Sequence, residues 1–340
     1  MSTLVYNFYP LFLFLSFSFF SYSPHAHPTD SINPSSIHIA NHSELENSRA
    51  FSRQQLKRSS PRQCQPFYTT FSDPSAVADR DSDSSNAPFI ALSPPETYAF
   101  TSNGLEMYLH KPKGELHSAN GMNDNLGEAS TINSTFWIPV EGNASRAHFD
   151  YQYWLCLSRL AKQFRSNRDS AKVTYEVSCD YVPGVICAFI LIDSVQASND
   201  EMHLDEIDVE LVGSGSARWQ TNIFKPSKAD PDPHYGHFDT KEQYSQNPSY
   251  ASFHKYSISW DSEKIVWGLD GQAMRTMRKE DTYINGVSHF PGETDPLRLQ
   301  LGIWDGSGAE GTSSWAGGPV NWDTAPQRIV ATVRSVSVEC

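Results

Sequence analysis

The sequence predicts an all-β domain built from two antiparallel sheets packed face to face. Three observations carry this. From Pro61 onward, short runs of apolar residues, several alternating strictly with polar ones, are separated by turn residues. No long stripe at helical spacing accompanies them. The many short strands belong to one long stretch of chain rather than to alternating strand–helix units.

Taken in chain order, residues 1–26 read as a secretory signal. The apolar run Leu11–Phe20 is about half the length that a bilayer-spanning helix needs, and Pro24-His25-Ala26 offers a fair cleavage site. Residues 27–60 are rich in Ser, Asn, His and Pro without apolar periodicity, and form a linker or propeptide. Residues 61–340 are the folded domain. Within it, 139–170 carries Leu157, Leu160 and Phe164 at helical spacing between segments that otherwise read as strand, and is expected to be an insertion, either a surface excursion or a retained intron. Tyr256, Ile258 and Trp260 alternate with polar residues as a half-buried strand. Ile265–Leu269, Asp270-Gly271 and Gln272–Arg278 read as a hairpin with a primed turn. Near the end, Val336, Val338 and Cys340 share one strand face and Ser335, Ser337 and Glu339 the other.

The charge balance is 26 basic against 39 acidic residues, a net −13, which argues against nucleic acid as a partner. No second apolar run approaches 18 residues, so no membrane partner is expected, and the chain ends at Cys340 without a hydrophobic anchor tail. The expected product is secreted, extracellular or in a cell wall, and monomeric. Five cysteines leave one unpaired in that setting. Cys179 and Cys187 flank Pro183-Gly184 and suit a bridge across a hairpin, Cys64 and Cys340 suit a staple from first strand to last, and Cys156 is left over. Asn41, Asn133 and Asn143 begin N-glycosylation sequons. No Ser-His-Asp set, phosphate loop or zinc pattern appears. The histidines, His234 and His237 included, lack metal-ligand spacing and read as surface or outlying residues, so neither a metal nor a cofactor is expected.

Asp205-Glu206-Ile207-Asp208-Val209-Glu210 is the most informative stretch. On a strand, Glu206, Asp208 and Glu210 project from one face while Ile207, Val209 and Leu211 enter a core. Three aligned acids repel one another, and a purely structural strand gains nothing from them. The bland alternatives are a charged strand edge or half of a calcium site. Two glutamates four positions apart, leaning over a sugar, can bring their carboxyls to about 5–5.5 Å, the retaining separation in glycoside cleavage. One carboxylate then attacks the anomeric carbon and the other protonates the leaving oxygen, its proton affinity raised by its acidic neighbours. Arg218–Phe224 follows a Gly-Ser turn and offers Trp219, Gln220, Asn222 and Phe224. Amides read hydroxyls and rings stack on sugars. Glycine-flanked Trp304 and Trp315 read as sugar-stacking loop residues, whereas Trp322 on its glycine-rich loop leans to core packing over stacking, and Trp260 and Trp267 in regular strands read as core.

Glu206-Ile207-Asp208-Val209-Glu210 resembles the signature of glycoside hydrolase family 16 in its regular-strand form. Arg218–Phe224, Tyr256–Trp260, Ile265–Arg278, Leu299–Trp304 and Trp315–Trp322 leading into Ser335–Cys340 resemble its fungal Crh-like cell-wall transglycosylase branch. The likeness covers about 61–138 and 171–340. It implies a β-jelly-roll with a concave glycan cleft, Glu206 as nucleophile, Asp208 as its assistant and Glu210 as general acid/base, with Gln220, Asn222, Trp304 and Trp315 lining donor subsites. It also implies transfer of chitin or β-glucan chains onto β-glucan. The insertion, the lack of a cysteine-rich chitin-binding module and the lack of an anchor tail depart from that branch. The rivals are a hydrolase acting on β-1,3(4)-glucan, a carbohydrate-binding protein without turnover, which needs the Trp loops but not three aligned acids, and a degenerate product.

Overall fold

A computed structural model describes residues 66–79, 87–134, 170–192, 205–226, 229–244, 249–291 and 297–340. The expected signal and linker, residues 139–169 of the expected insertion, and Cys64, Cys156 and the sequons at Asn41 and Asn143 lie outside the described residues.

Two eight-stranded sheets dominate the fold. One runs, strand by strand, through Thr240–Gln243, Arg218–Phe224, Glu206–Val212, Val185–Ile192, Arg298–Asp305, Ser130–Ser134, Phe89–Ala91 and Val77–Ala78. The other runs through Gln272–Arg278, Lys264–Leu269, His254–Trp260, Ala171–Cys179, Arg328–Glu339, Gly104–His110 and Tyr98–Thr101, with Phe67–Thr69 pairing the far end of Arg328–Glu339. Pairing is antiparallel apart from the short Val77–Ala78/Phe89–Ala91 contact.

The side-chain pattern explains each sheet's position. In Ala171–Cys179 the buried residues alternate, Ala171, Val173, Tyr175, Val177 and Cys179 entering the core. That is a strand with one wet face. Val185–Ile192 is buried throughout. Val185, Cys187, Phe189 and Leu191 join the core between the sheets, while Ile186, Ala188, Ile190 and Ile192 form a second, smaller apolar cluster on the opposite face of their sheet. Such a two-sided strand belongs in the middle of its sheet, and it pairs with Glu206–Val212 on one side and Arg298–Asp305 on the other.

The turn between Lys264–Leu269 and Gln272–Arg278 has Asp270 at φ 50° and Gly271 at φ 85°. Both values lie in the left-handed region that a primed turn requires. The Cys179–Cys187 bridge is present, with Cα atoms 6.4 Å apart, but it does not cross a hairpin. Ala171–Cys179 belongs to one sheet and Val185–Ile192 to the other, so Pro183-Gly184 carries the chain between layers and the disulfide staples the two sheets together. The reason is the all-apolar composition of 185–192, which cannot sit on a strand with one wet face. Cys340 is also disulfide-bonded. Asn133 is fully buried within Ser130–Ser134, so its sequon is closed to glycosylation in the folded protein.

Candidate active site

The acid strand Glu206–Val212 sits beside Val185–Ile192 at the heart of its sheet, and its register fixes the site. Ile207, Val209 and Leu211 are fully enclosed in the inter-sheet core. Strand parity therefore turns Glu206, Asp208 and Glu210 to the opposite face. The next strand places Phe224 opposite Glu206, Asn222 opposite Asp208 and Gln220 opposite Glu210. On the other side stand Ile192, Ile190 and Ala188, and beyond Ala188 lies Gly302. The floor around the acids is thus amide on one flank and apolar and low on the other.

Burial sets the electrostatics. Glu206 and Asp208 are 5% and 1% exposed, and Glu210 is half-buried. Burial pushes the Glu206 carboxyl up to about 7, with the Asp208 carboxyl acting in the opposite direction. Asp208 is raised well above the carboxylate range, by burial first and then by the charges of Glu206 and Glu210. Burial pushes Glu210 up to about 8, with the charges of Glu206 and Asp239 adding to the rise. Neither Asp208 oxygen has a hydrogen-bond partner of good geometry, although the carboxyl lies near enough to Glu206 to favour its ionised form. Of the two glutamates, Glu206 is the one whose ionised form a neighbouring carboxyl favours.

The backbone under the acids is held from below. Trp267, fully enclosed, donates its indole N–H across the core to the Asp208 carbonyl at 2.9 Å. Arg275 lies over the Trp267 ring, 4.7 Å from its centroid. It donates to the carbonyl of Thr221 at 3.0 Å and to the carbonyl of Phe238. One guanidinium so ties the amide strand and the loop after it to the opposite sheet.

The tryptophans divide. Trp304 and Trp315 are half-buried and stack with centroids 6.3 Å apart and planes at 30°. Trp315 rides on a short helix, Glu310–Ala316, rather than a loop, and donates its indole N–H to Gln220 Oε1 at 3.0 Å. Gln220, Trp304 and Trp315 therefore meet at the Glu210 end of the acid row. A depression of about 460 Å³, lined by Tyr181, Val212, Ser214, Arg218, Gln220 and Lys241 among others, continues from that end. Trp219 corrects the sequence reading. Its ring is wholly enclosed and packs edge-on against Tyr256 at 5.3 Å, because strand parity that turns Gln220 and Asn222 to the acids turns Trp219 away, and an enclosed ring stacks on no sugar. Trp322 is likewise in the core, its indole N–H donated to Asp305 Oδ2 at 3.2 Å. Trp260 and Trp267 are core residues as expected.

Two residues were not legible as site candidates. Tyr235 is half exposed, packs edge-on against Phe224 at 5.5 Å and feels the charge of Glu206, although burial is the main cause of its raised pKa. Gly302 faces the acids without a side chain; a Cβ added there meets nothing closer than the Ser130 carbonyl oxygen at 3.6 Å.

The sequence profile named Glycosyl hydrolases family 16 matches residues 144–327, more than half of the chain. The chain belongs to that family. Among curated relatives, Crh-like protein 2 of Aspergillus fumigatus is 32% identical over 176 residues, covering 50% of this chain and 37% of the relative. Congo red hypersensitive protein 2 of Saccharomyces cerevisiae is 27% identical over 176 residues, covering 50% and 34%. The chain thus spans about a third of the length of the curated relatives it matches. A solved structure described as Crh5 transglycosylase in complex with NAG aligns at a TM-score of 0.54 and 20% identity, covering 84% of this chain and 89% of that one. A Bacillus licheniformis β-glucanase aligns at 0.50 and 16%, covering 82% and 100%. Those neighbours share the two-sheet fold of the family 16 chain described here.

Proposed function

We propose that this family 16 chain is a secreted, retaining β-glycan enzyme that transfers chains of fungal cell-wall chitin or β-glucan onto sugar acceptors. One observation carries the reading: Glu206, Asp208 and Glu210 stand in a row on one sheet face, paired across the ladder with Asn222 and Gln220. Glu206 attacks the anomeric carbon, forming a glycosyl ester as the glycosidic C–O bond breaks. Glu210 gives its proton to the departing oxygen. Glu210, now ionised, takes the proton of the incoming hydroxyl, whose oxygen displaces Glu206. Asp208 supports the ionised form of Glu206. Gln220 and Asn222 bind hydroxyls, and Trp304 and Trp315 supply the aromatic wall.

A sugar hydroxyl as acceptor gives transfer, and water gives hydrolysis. The solved neighbour described as Crh5 transglycosylase favours transfer. The Leu11–Phe20 run and the Cys179–Cys187 disulfide favour an extracytosolic product. Incubation with labelled chito- and laminari-oligosaccharides tests the reading. Mixed, longer chains support it. Only shortened chains make the protein a hydrolase, and unchanged chains that nonetheless bind make it a glycan-binding protein.

A further inference from the structure

Asp230, His234 and His289 converge on one point beside the amide strand, their ligating atoms all within 4.8 Å of one another. His234 Nε2 lies 3.0 Å and His289 Nε2 3.3 Å from Asp230 Oδ2. The rings of the two histidines meet edge-on with centroids 4.7 Å apart. His289 is 1% exposed. Its Nδ1 is 3.1 Å from the Lys225 carbonyl oxygen, an acceptor, so Nδ1 carries the proton and donates it. In the neutral ring Nε2 then presents a lone pair toward Asp230 and His234. That buried nitrogen has no hydrogen-bond partner, since the 3.3 Å approach to Asp230 is out of line for a hydrogen bond.

A backbone carbonyl that fixes the tautomer and leaves Nε2 aimed inward is how proteins prepare a histidine for a metal. Zinc bonds of about 2.0–2.1 Å in a tetrahedral shell put ligand atoms about 3.3 Å apart. Two of the three separations already match. Two imidazoles and one carboxylate suit a late first-row divalent ion and offer too few oxygens for calcium.

We propose that Asp230, His234 and His289 form a zinc site that clamps the 229–239 loop against the Lys225 and Phe290 region. Three protein ligands leave a fourth position for water. The loop carries Tyr235, next to His234 and in contact with Phe224 at the Glu206 end of the acid row. The clamp therefore holds one wall of the glycan face. The pattern escaped the sequence reading because His289 is far from the other two ligands in the chain and reaches them through the contacts of its Nδ1 with the Lys225 carbonyl and of the Lys225 ammonium with the Phe290 carbonyl.

The test uses the full chain stripped with a chelator and titrated calorimetrically with zinc chloride, with calcium chloride as comparison. One zinc per chain is expected, tightly bound, with a raised thermal midpoint and no equivalent calcium response. Loss of an outer-shell partner costs about 10–100-fold in metal affinity, so His234→Ala is expected to weaken zinc by about 100-fold or more. His289→Ala is expected to do the same; because His289 is buried, circular dichroism checks that this variant folds, and the partly exposed His234 variant decides the matter if it does not. Zinc binding that survives His234→Ala, or no zinc binding by the parent chain, overturns the site and leaves a hydrogen-bonded His–Asp contact.

Discussion

The indole N–H of Trp315 donates to Gln220 Oε1 at 3.0 Å, tying the Glu310–Ala316 helix to the strand that faces the acids. The bond leaves the Gln220 amide nitrogen as the group that reads a sugar hydroxyl. Trp315→Phe keeps an aromatic ring but frees Gln220, and is expected to weaken oligosaccharide binding several-fold, the worth of one hydrogen bond of about 1 kcal/mol. Trp315→Ala also removes the stacking partner of Trp304 and is expected to cost about tenfold or more. Calorimetric titration with laminari- or chito-oligosaccharide checks both; equal affinity in parent and alanine variant would remove Trp315 from the glycan surface.

Gly302 makes a steric prediction. A Cβ there has ordinary clearance, so Gly302→Leu fills space above the sheet, not within it. The expected result is a folded protein with a thermal midpoint close to the parent and turnover lowered at least about tenfold. A folded variant of full activity would show that the space above Gly302 is not where the glycan lies.

Proton affinity links activity to stability. Glu206 and Glu210 bind protons more tightly in the folded chain than the ordinary carboxyl value of 4.5, reaching about 7 and about 8. The folded state therefore holds more protons than the unfolded one between those limits. The favourable contribution is complete below 4.5 and is lost as pH rises toward 8. Folding stability is expected to fall across that window, by about 1.4 kcal/mol for each tenfold difference in proton affinity between folded and unfolded chain, and thermal midpoints with it. Asp208→Asn removes one buried acid from between the other two and is expected to flatten the fall, stabilising the protein more at pH 8 than at pH 4.5. A variant equally affected at both pH values would contradict this. Activity is expected to follow a bell whose limbs belong to the coupled acids together and both lie above the ordinary carboxylate range.

The disulfide gives a fourth expectation. Cys179 and Cys187 close a loop with a sequence separation of 8, for which chain entropy gives about 2–3 kcal/mol. The Cys179→Ala/Cys187→Ala double variant is expected to lose that much in denaturant unfolding, the layers losing their covalent staple. No change in unfolding midpoint would show that the apolar strand 185–192 holds the layers together unaided.

What the sequence made legible follows strand parity. The alternation of acids with Ile207, Val209 and Leu211 fixed which face each takes, and the Asp270-Gly271 turn specified its own hairpin. Trp219 was misplaced because it was grouped with Gln220 and Asn222 across both parities; stricter alternation assigns it to the core. Trp322, which the sequence placed in the core more than on the sugar face, is enclosed there, its indole N–H taken by the Asp305 carboxylate. The Pro183-Gly184 turn looked like a hairpin because turn chemistry is local, whereas the sheet that a strand joins depends on whether one or both of its faces are apolar.

The central claim is that Glu206 is the attacking carboxylate on a face that binds glycan independently of attack. Glu206→Gln keeps the side-chain shape while removing the nucleophile, so turnover of labelled laminari- and chito-oligosaccharides and binding of the same sugars are measured on that one variant. Turnover reduced about a thousand-fold or more with binding retained is the predicted outcome; a variant that turns over sugar at the parent rate would contradict the account.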